Sequence, residues 1–250
     1  MRTIALTGSA SGIGAATRAA LEAAGHRVVG VDLHDAEVTA DLGTIDGRAE
    51  AIAGVLDACD GTLDGYAGFA GVPATVDPPL LTKVSYFGSV ALLDGLRDAL
   101  TNGRDASAVA VSSCAATVAP VDDALVDTLL DGDEEKAIAL STLGGMTYAS
   151  VKLALARWAR RQAADWAAAG VRLNVLAPGM TETPLTQATL DDPDLGPLTR
   201  EVPVPIGAWA KPPQIAAAAQ WLLDPASSFV VGSVIFVDGG TDALVRPDTF

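Results

Sequence analysis

Short apolar runs without polar alternation, each followed by a longer stretch of helical spacing, recur along this chain and limit what it can fold into. Residues 3–6, 27–31, 65–69, 108–112, 171–176 and 234–237 read as strands. Between them, residues 13–24, 52–58, 80–100, 145–169 and 213–223 read as helices. Gly25 and Gly170 stop two of these helices, where a residue at positive φ is tolerated. A strand that is apolar at every position is covered on both faces. Strand and helix in steady alternation give right-handed crossovers and parallel pairing. The expected product is one α/β domain over residues 1–250. It is a Rossmann-type doubly wound parallel sheet in a three-layer sandwich, with ligand at the carboxyl ends of the strands.

Composition supports one unit. A chain of 250 residues that is 50% hydrophobic can bury a sizeable core. No Pro- or Ser-rich linker, charge block or repeat marks a second domain. Sixteen basic residues against 31 acidic ones leave a net charge of −15, a surface that repels nucleic acid and anionic membrane. No apolar run approaches the length of a membrane span. Cys59 and Cys114 make no disulfide framework, so both are expected reduced in a soluble, cytoplasmic protein. No His, Cys and carboxylate spacing suits a metal, and His26 and His34 read as surface residues.

Two segments break the rhythm. Residues 117–147 separate a strand from a helix that a short loop could join, and they hold amphipathic patterns at 121–130 and 134–140. Residues 179–211 are Pro-rich. Long loops within compact α/β domains are usually lids or interfaces. The second segment, with Leu185, Leu190, Leu195 and Leu198, is expected to form an apolar lid over a substrate. Trp209 is a candidate for the same pocket, while Trp158, Trp166 and Trp221 read as core or interface aromatics.

The first strand runs into Thr7-Gly8-Ser9-Ala10-Ser11-Gly12-Ile13-Gly14 and then a helix. Glycines at Gly8, Gly12 and Gly14 permit positive φ and close backbone approach. Ser11 and Ile13 lie where helix N–H groups would meet a pyrophosphate. No Lys-Ser/Thr follows, which excludes a P-loop nucleotidase. Asp32 ends the second strand, 18 residues after Gly14. Its carboxylate can accept from ribose hydroxyls and would repel a 2′-phosphate, which predicts NAD over NADP. Asp41 and Leu42 lie where a polar and an apolar neighbour could hold adenine.

Tyr148 and Lys152 stand four apart on one helix face, and Ser113 closes the preceding strand. A free phenol has a pKa of about 10, a poor base at neutral pH. The Lys152 ammonium and an oxidised nicotinamide would both favour the phenolate. Lowering the pKa by roughly 3 takes about 4 kcal/mol, within reach of two cations in a partly dry site. Ser113 and Tyr148 could then both hydrogen-bond a carbonyl oxygen and stabilise developing alkoxide.

With these motifs in place, the chain resembles the short-chain dehydrogenase/reductase family nearly end to end. The resemblance rests on Thr7–Gly14, Ala70-Gly71, Ser113, Tyr148 with Lys152, Pro178-Gly179 with Thr181 and Thr183, and Val237-Asp238-Gly239-Gly240. It implies an NAD(H)-dependent oxidoreductase that interconverts a secondary alcohol and a ketone. Tyr148 would be general acid/base, Lys152 would hold the ribose and Ser113 would orient the substrate oxygen. Thr183 would bind the carboxamide, and Ala70, Gly71, Pro178, Gly179 and Thr181 would line the cofactor site. Ser85-Tyr86-Phe87-Gly88, the long gap between Ser113 and Tyr148, and the tail Asp242-Ala243 to Phe250 point to its bacterial hydroxysteroid dehydrogenase branch. That implies a hydroxysteroid or another bulky hydrophobic carbonyl compound as substrate. It also implies a homodimer, because the inserted segment would block the usual tetramer contact.

Two departures from the family stand out. Ser85 occupies the position where the family carries an Asn that holds a relay water; serine is shorter, so a second water is expected to bridge the gap. Gly68 and Phe69 replace paired asparagines, which concerns sheet hydrogen bonding. Rival readings are a catalytically silent dinucleotide-binding regulator, a sugar- or quinone-type carbonyl reductase, a sugar-nucleotide epimerase and an enoyl reductase. The intact Ser113, Tyr148 and Lys152 count against the first. The epimerases are normally longer chains with a different glycine spacing. An enoyl reductase would place the lysine further from its tyrosine.

Overall fold

In a computed structural model that describes residues 1–249, seven parallel strands form one sheet in the order β3-β2-β1-β4-β5-β6-β7. The strands are β1 (Thr3–Thr7), β2 (Arg27–Asp32), β3 (Val38–Thr39), β4 (Gly65–Gly68), β5 (Ser107–Val111), β6 (Arg172–Pro178) and β7 (Val234–Val237). Chain direction across the sheet reverses between β1 and β4, so the crevice above those strands is the switch point where such sheets bind ligand. This is the doubly wound sandwich that the apolar pattern predicts. The strand at Val38–Thr39 went unread because two residues carry no period. Phe250, the end of the tail motif, lies outside the described residues.

Side chains from successive strand positions enter opposite layers. Ile4 and Leu6 join Leu21, Ile215, Ala219 and Leu222 on one face, where α1 (Gly12–Ala23) packs against α12 (Pro212–Leu223). Ala5, Val29, Ala108, Ala110, Leu173 and Val175 join the larger core on the other face. That core is covered by α2 (Ile45–Ala58), by α4 (Ser89–Gly95) and by α9 (Gly144–Ala168). Alternation between two covered faces is why each strand reads as uniformly apolar.

Two expectations about helices need correction. Helix α2 begins at Ile45, earlier than residue 52, because Thr44 caps it by accepting from the Gly47 N–H at 3.0 Å. The expected helix over 80–100 is not continuous. It is built from α3 (Pro78–Thr82), a π-helical turn (Lys83–Gly88), α4, and α5 (Arg97–Thr101), with Leu96 out of helical geometry at φ −100° and ψ 0°. Residues 117–147 hold the two expected helices, α7 (Asp123–Leu130) and α8 (Glu134–Leu140), after a short α6 (Ala115–Val118). Leu125, Val126, Leu129 and Ala137 are buried in the main core, so the segment is part of the folded body. Helix α7 lies along α9 on the side away from the sheet. This explains why Ala149–Lys152 and Ala154–Ala156 are buried without a break around that helix.

Of the aromatics, Trp158 and Trp166 are core residues, whereas Trp221 is 43% exposed. Among the described residues no helix is long and apolar enough to cross a membrane, and no cluster of His, Cys and carboxylates could hold a metal. Cys59 and Cys114 are free and buried.

Candidate active site

A cleft of about 370 Å³ opens above the switch point, lined by the glycine loop, the ends of β2, β4, β5 and β6, the front of α9 and the start of α10 (Pro184–Leu190). Nearly all the candidate residues meet there. Gly8, Ser11, Gly12, Ile13, Gly14, Asp32, Asp41, Leu42, Ala70, Gly71, Ser113, Tyr148, Lys152, Pro178, Gly179, Thr181 and Thr183 all line it. Ser85 lies behind the wall, beneath Gly71.

The glycine loop is shaped by close approach. Gly8 sits at φ +69°, and a Cβ there would lie 2.7 Å from the Ala70 nitrogen. A Cβ on Gly14 would lie 1.9 Å from the Gly8 carbonyl oxygen. The first helical turn is thus pressed against the loop, and its N–H groups face the cleft. Ser11, at the start of α1, makes no side-chain cap. Thr183 packs over Gly12, its Cβ and Cγ2 at 3.5 Å from where a Cβ would stand, and so closes the loop from above. Asp32 holds the rim: its Oδ2 accepts from the Ala10 N–H at 2.9 Å and its Oδ1 from the Leu33 N–H at 2.8 Å. Asp41 turns the chain by accepting from the Gly43 N–H at 2.8 Å, and Leu42 is buried below it.

At the other end, Ser113 follows β5 and Tyr148 and Lys152 project from α9. The Lys152 ammonium is buried and donates to the Val111 carbonyl at 2.9 Å, with Nζ 5.8 Å from the centre of the Tyr148 ring. Burial lowers the Lys152 pKa to about 8. The Tyr148 side chain is half-buried and lines the cleft. Burial pushes the phenol up to about 12, while the Ser113 hydroxyl pulls the other way. Without the positive charge of the nicotinamide, desolvation of the phenolate outweighs a lysine that is itself desolvated and donates to a backbone carbonyl.

Ser85 is fully buried within the π-helical turn, and its Oγ has no hydrogen-bond partner. It faces Gly71: a Cβ on Gly71 would lie 3.6 Å from Ser85 Oγ and 3.9 Å from Lys152 Nζ. A buried hydroxyl left unpaired beside a functional lysine, under a glycine that keeps the space open, marks a position for a polar ligand atom or water. The departure at Gly68 also has a physical reason. The buried Tyr66 hydroxyl would stand 3.0 Å from a Cβ on Gly68, so a phenol fills the volume that a larger residue would need.

The four leucines and the tryptophan of residues 179–211 are placed differently. Leu185 lines the cleft and Leu190 is half-buried. Leu195, at the start of α11 (Leu195–Arg200), sits 3.3 Å from where a Cβ of Gly145 would be, at the front of α9. Leu198 is 63% exposed, and Trp209 is half-buried but does not line the cleft, so neither faces a substrate here. Leu80, Val84 and Val72, also in the wall, were not singled out from the sequence, and Phe69 was noted there only as a departure from the family. Val72 directly follows Ala70-Gly71, the one signal that could have found it.

Known proteins share this arrangement. A 3-alpha-hydroxysteroid dehydrogenase/carbonyl reductase of Comamonas testosteroni is 44% identical over 257 residues, spanning 100% of each chain. This chain belongs to the short-chain dehydrogenase/reductase family. A 2,5-dichloro-2,5-cyclohexadiene-1,4-diol dehydrogenase of Sphingobium indicum is 30% identical over 264 residues, 97% of this chain and 98% of that one. The family model described as Enoyl-(Acyl carrier protein) reductase matches residues 137–242 of this short-chain dehydrogenase/reductase. The crystal structure of the 3-alpha-hydroxysteroid dehydrogenase from Pseudomonas sp. B-0831 complexed with NADH superimposes with a TM-score of 0.95 at 48% identity. It covers 99% of this chain and 100% of that chain.

Proposed function

We propose that this short-chain dehydrogenase/reductase interconverts a secondary alcohol and a ketone with NAD(H), acting on a hydroxysteroid or another bulky hydrophobic carbonyl compound. One observation carries the reading: Tyr148, Lys152 and Ser113 meet in the same cleft as the glycine loop and Asp32. The printed activities of the Comamonas and Pseudomonas relatives support the substrate class. The residues present suit a dinucleotide, since the backbone packing that shapes its cradle needs glycine at Gly8 and Gly14 and the Ser85 hydroxyl is buried without a partner. When bound, the cofactor supplies or accepts the hydride at the substrate carbon.

The protein's own part is proton handling. With its pKa near 12, the Tyr148 phenol keeps its proton at neutral pH and is poised to donate it to a carbonyl oxygen during reduction. Ser113 donates a second hydrogen bond to that oxygen as negative charge builds there. Lys152 holds the ribose and, when charged, favours the phenolate needed for alcohol oxidation. Ser85, through water, passes the proton between this group and solvent. Thr183 binds the carboxamide, and Leu185 shields the oxygen from bulk water. The enoyl reductase reading implied by the family-model description is not adopted, because Tyr148 and Lys152 stand only four residues apart. The protein is proposed to work in the cytoplasm as a homodimer. In support, α7 covers α9, while Phe229 and Trp221 remain exposed.

The test follows NADH absorbance against a panel of steroids, terpenoid ketones, quinones and sugar alcohols. Activity on a steroid ketone is expected, and Tyr148→Phe should lower it by roughly 10²- to 10⁴-fold. Full activity of Tyr148→Phe would refute the mechanism. Activity confined to sugar alcohols would refute the substrate class.

A further inference from the structure

Beneath Asp32 the chain carries a second charged device that the proposed reaction does not use. Arg18, in the second turn of α1, points its guanidinium at Glu37 with two N–H groups, Nη1 reaching Oε2 at 3.0 Å and Nη2 reaching Oε1 at 2.5 Å. Its Nε donates to Glu22 at 2.9 Å. Glu37 Oε2 also accepts from the Gly30 N–H at 2.8 Å, which ties the pair to the β2 backbone. Burial tends to raise the Glu37 pKa, but the bonds from Arg18 and Gly30 outweigh it and hold the carboxyl below its ordinary value.

The arrangement needs glycine at Gly30. A Cβ there would lie 2.5 Å from Ser9 Oγ, 2.8 Å from Glu37 Oε2 and 2.9 Å from Arg18 Nη1. Ser9 is itself buried, and its hydroxyl has no partner. Ser9, Ala10, Arg18, Asp35, Ala36 and Glu37 thus form a polar nook. Gly30 and Asp32 lie two apart on one strand and face the same way, which places the nook about 6–7 Å from the Asp32 position. They are also joined through one peptide, because the Ala10 N–H that donates to Asp32 belongs to the wall of the nook.

We infer that Arg18 is a phosphate-binding cation held out of service by Glu37, so that this pair, with Asp32, sets selection against a 2′-phosphorylated dinucleotide. The inference rests on the NAD(H) reading and names further specificity-determining residues for it. A guanidinium with free forked N–H groups beside the ribose rim would attract a phosphate dianion. Here Glu22 and Glu37 bind that one cation directly, with Asp35 in the wall of the nook and Asp32 joined to it through the Ala10 N–H. Removing Asp32 alone leaves the fork of Arg18 still occupied. Asp32 is therefore necessary for selectivity, but its loss is not enough to reverse it.

The experiment measures dissociation constants of NADH and NADPH by quenching of protein fluorescence, with 2′,5′-ADP as a fragment probe and no turnover required. Asp32→Ser should weaken NADH while leaving NADPH no tighter than in the wild type. Adding Glu37→Gln, which keeps an acceptor for the Gly30 N–H, should tighten NADPH and 2′,5′-ADP by roughly tenfold or more over Asp32→Ser. Arg18→Gln added to that double variant should abolish the gain. Failure of the double variant to tighten NADPH, or a gain that survives Arg18→Gln, overturns the inference. Should Glu37→Gln not fold, Arg18→Gln in the Asp32→Ser background decides. No change in NADPH binding is expected there, and a loss would show that Arg18 was already available. Absence of NADH binding by the wild type would instead refute the NAD(H) reading itself.

Discussion

Replacing Glu134 by alanine strands a charge. The Arg48 side chain is 8% exposed and that of Glu134 28% exposed, and the guanidinium forks onto both carboxylate oxygens at 2.8 Å. Arg48 also donates to the Leu42 carbonyl at 2.8 Å and the Lys83 carbonyl at 3.0 Å. One arginine therefore ties the inserted helix α8 to the Leu42 wall of the cleft and to the turn that carries Ser85. Breaking a fully buried ion pair costs about 3–5 kcal/mol, chiefly because the remaining charge is left uncompensated. Glu134 is partly exposed and Arg48 keeps two carbonyl acceptors, so about 2–3 kcal/mol is expected for Glu134→Ala. For a chain of this size that lowers Tm by roughly 4–12 °C. Arg48→Met removes the charge but leaves two carbonyls short of a donor. The double variant should thus be less damaged than the two single losses together, by about 2 kcal/mol. Urea denaturation of the four proteins measures this coupling, and NADH titration should show weaker binding in every variant, since Leu42 lines the cleft. Additivity within about 0.5 kcal/mol would refute the reasoning, because uncoupled residues behave that way.

Two further outcomes follow from the site. Lys152, with its pKa lowered to about 8, loses its ammonium as pH rises through that value, and a ribose that needs the charged donor must restore the proton. NADH affinity should be flat below about pH 8 and weaken by up to about tenfold per pH unit above it, while Lys152→Met shows no such bend. An unbent wild-type profile would sink this assignment. Ser85→Asn should restore a longer reach to relay water and raise turnover by roughly two- to tenfold, with a changed solvent isotope effect. Turnover unaltered across pH would remove Ser85 from the relay.

What the sequence disclosed and what it hid divide along a physical line. Gly8, Gly12 and Gly14, and Tyr148 with Lys152, act through short-range backbone spacing, so their roles are legible in the linear order. Asp32 is legible because it ends a strand that follows the first helix. Arg48 is not: its partner Glu134 lies 86 residues away, and on α2 alone it reads as one more solvated cation. The break of 80–100 into four pieces was hidden because a π-helical turn and the kink at Leu96 leave the apolar period nearly unchanged. The size of the desolvation that opposes the Tyr148 phenolate was hidden too, because sequence names the neighbouring cation but not how much protein packs around the ring. Leu198 and Trp209 read as pocket residues on hydrophobicity alone, and the turns of the lid carry them elsewhere.

Helix α9 is enclosed by the sheet on one side and by α7 on the other. Tyr148 and Lys152 thus project from the half of α9 that is packed all round, whereas α10 and α11 are short and carry few buried residues. A redesign that asks this scaffold to accept a different ketone should be written into residues 184–200 alone. Changes there can reshape the mouth without disturbing the reacting geometry, whereas an enlarged side chain on the concealed face of α9 would cost folding before it altered selectivity.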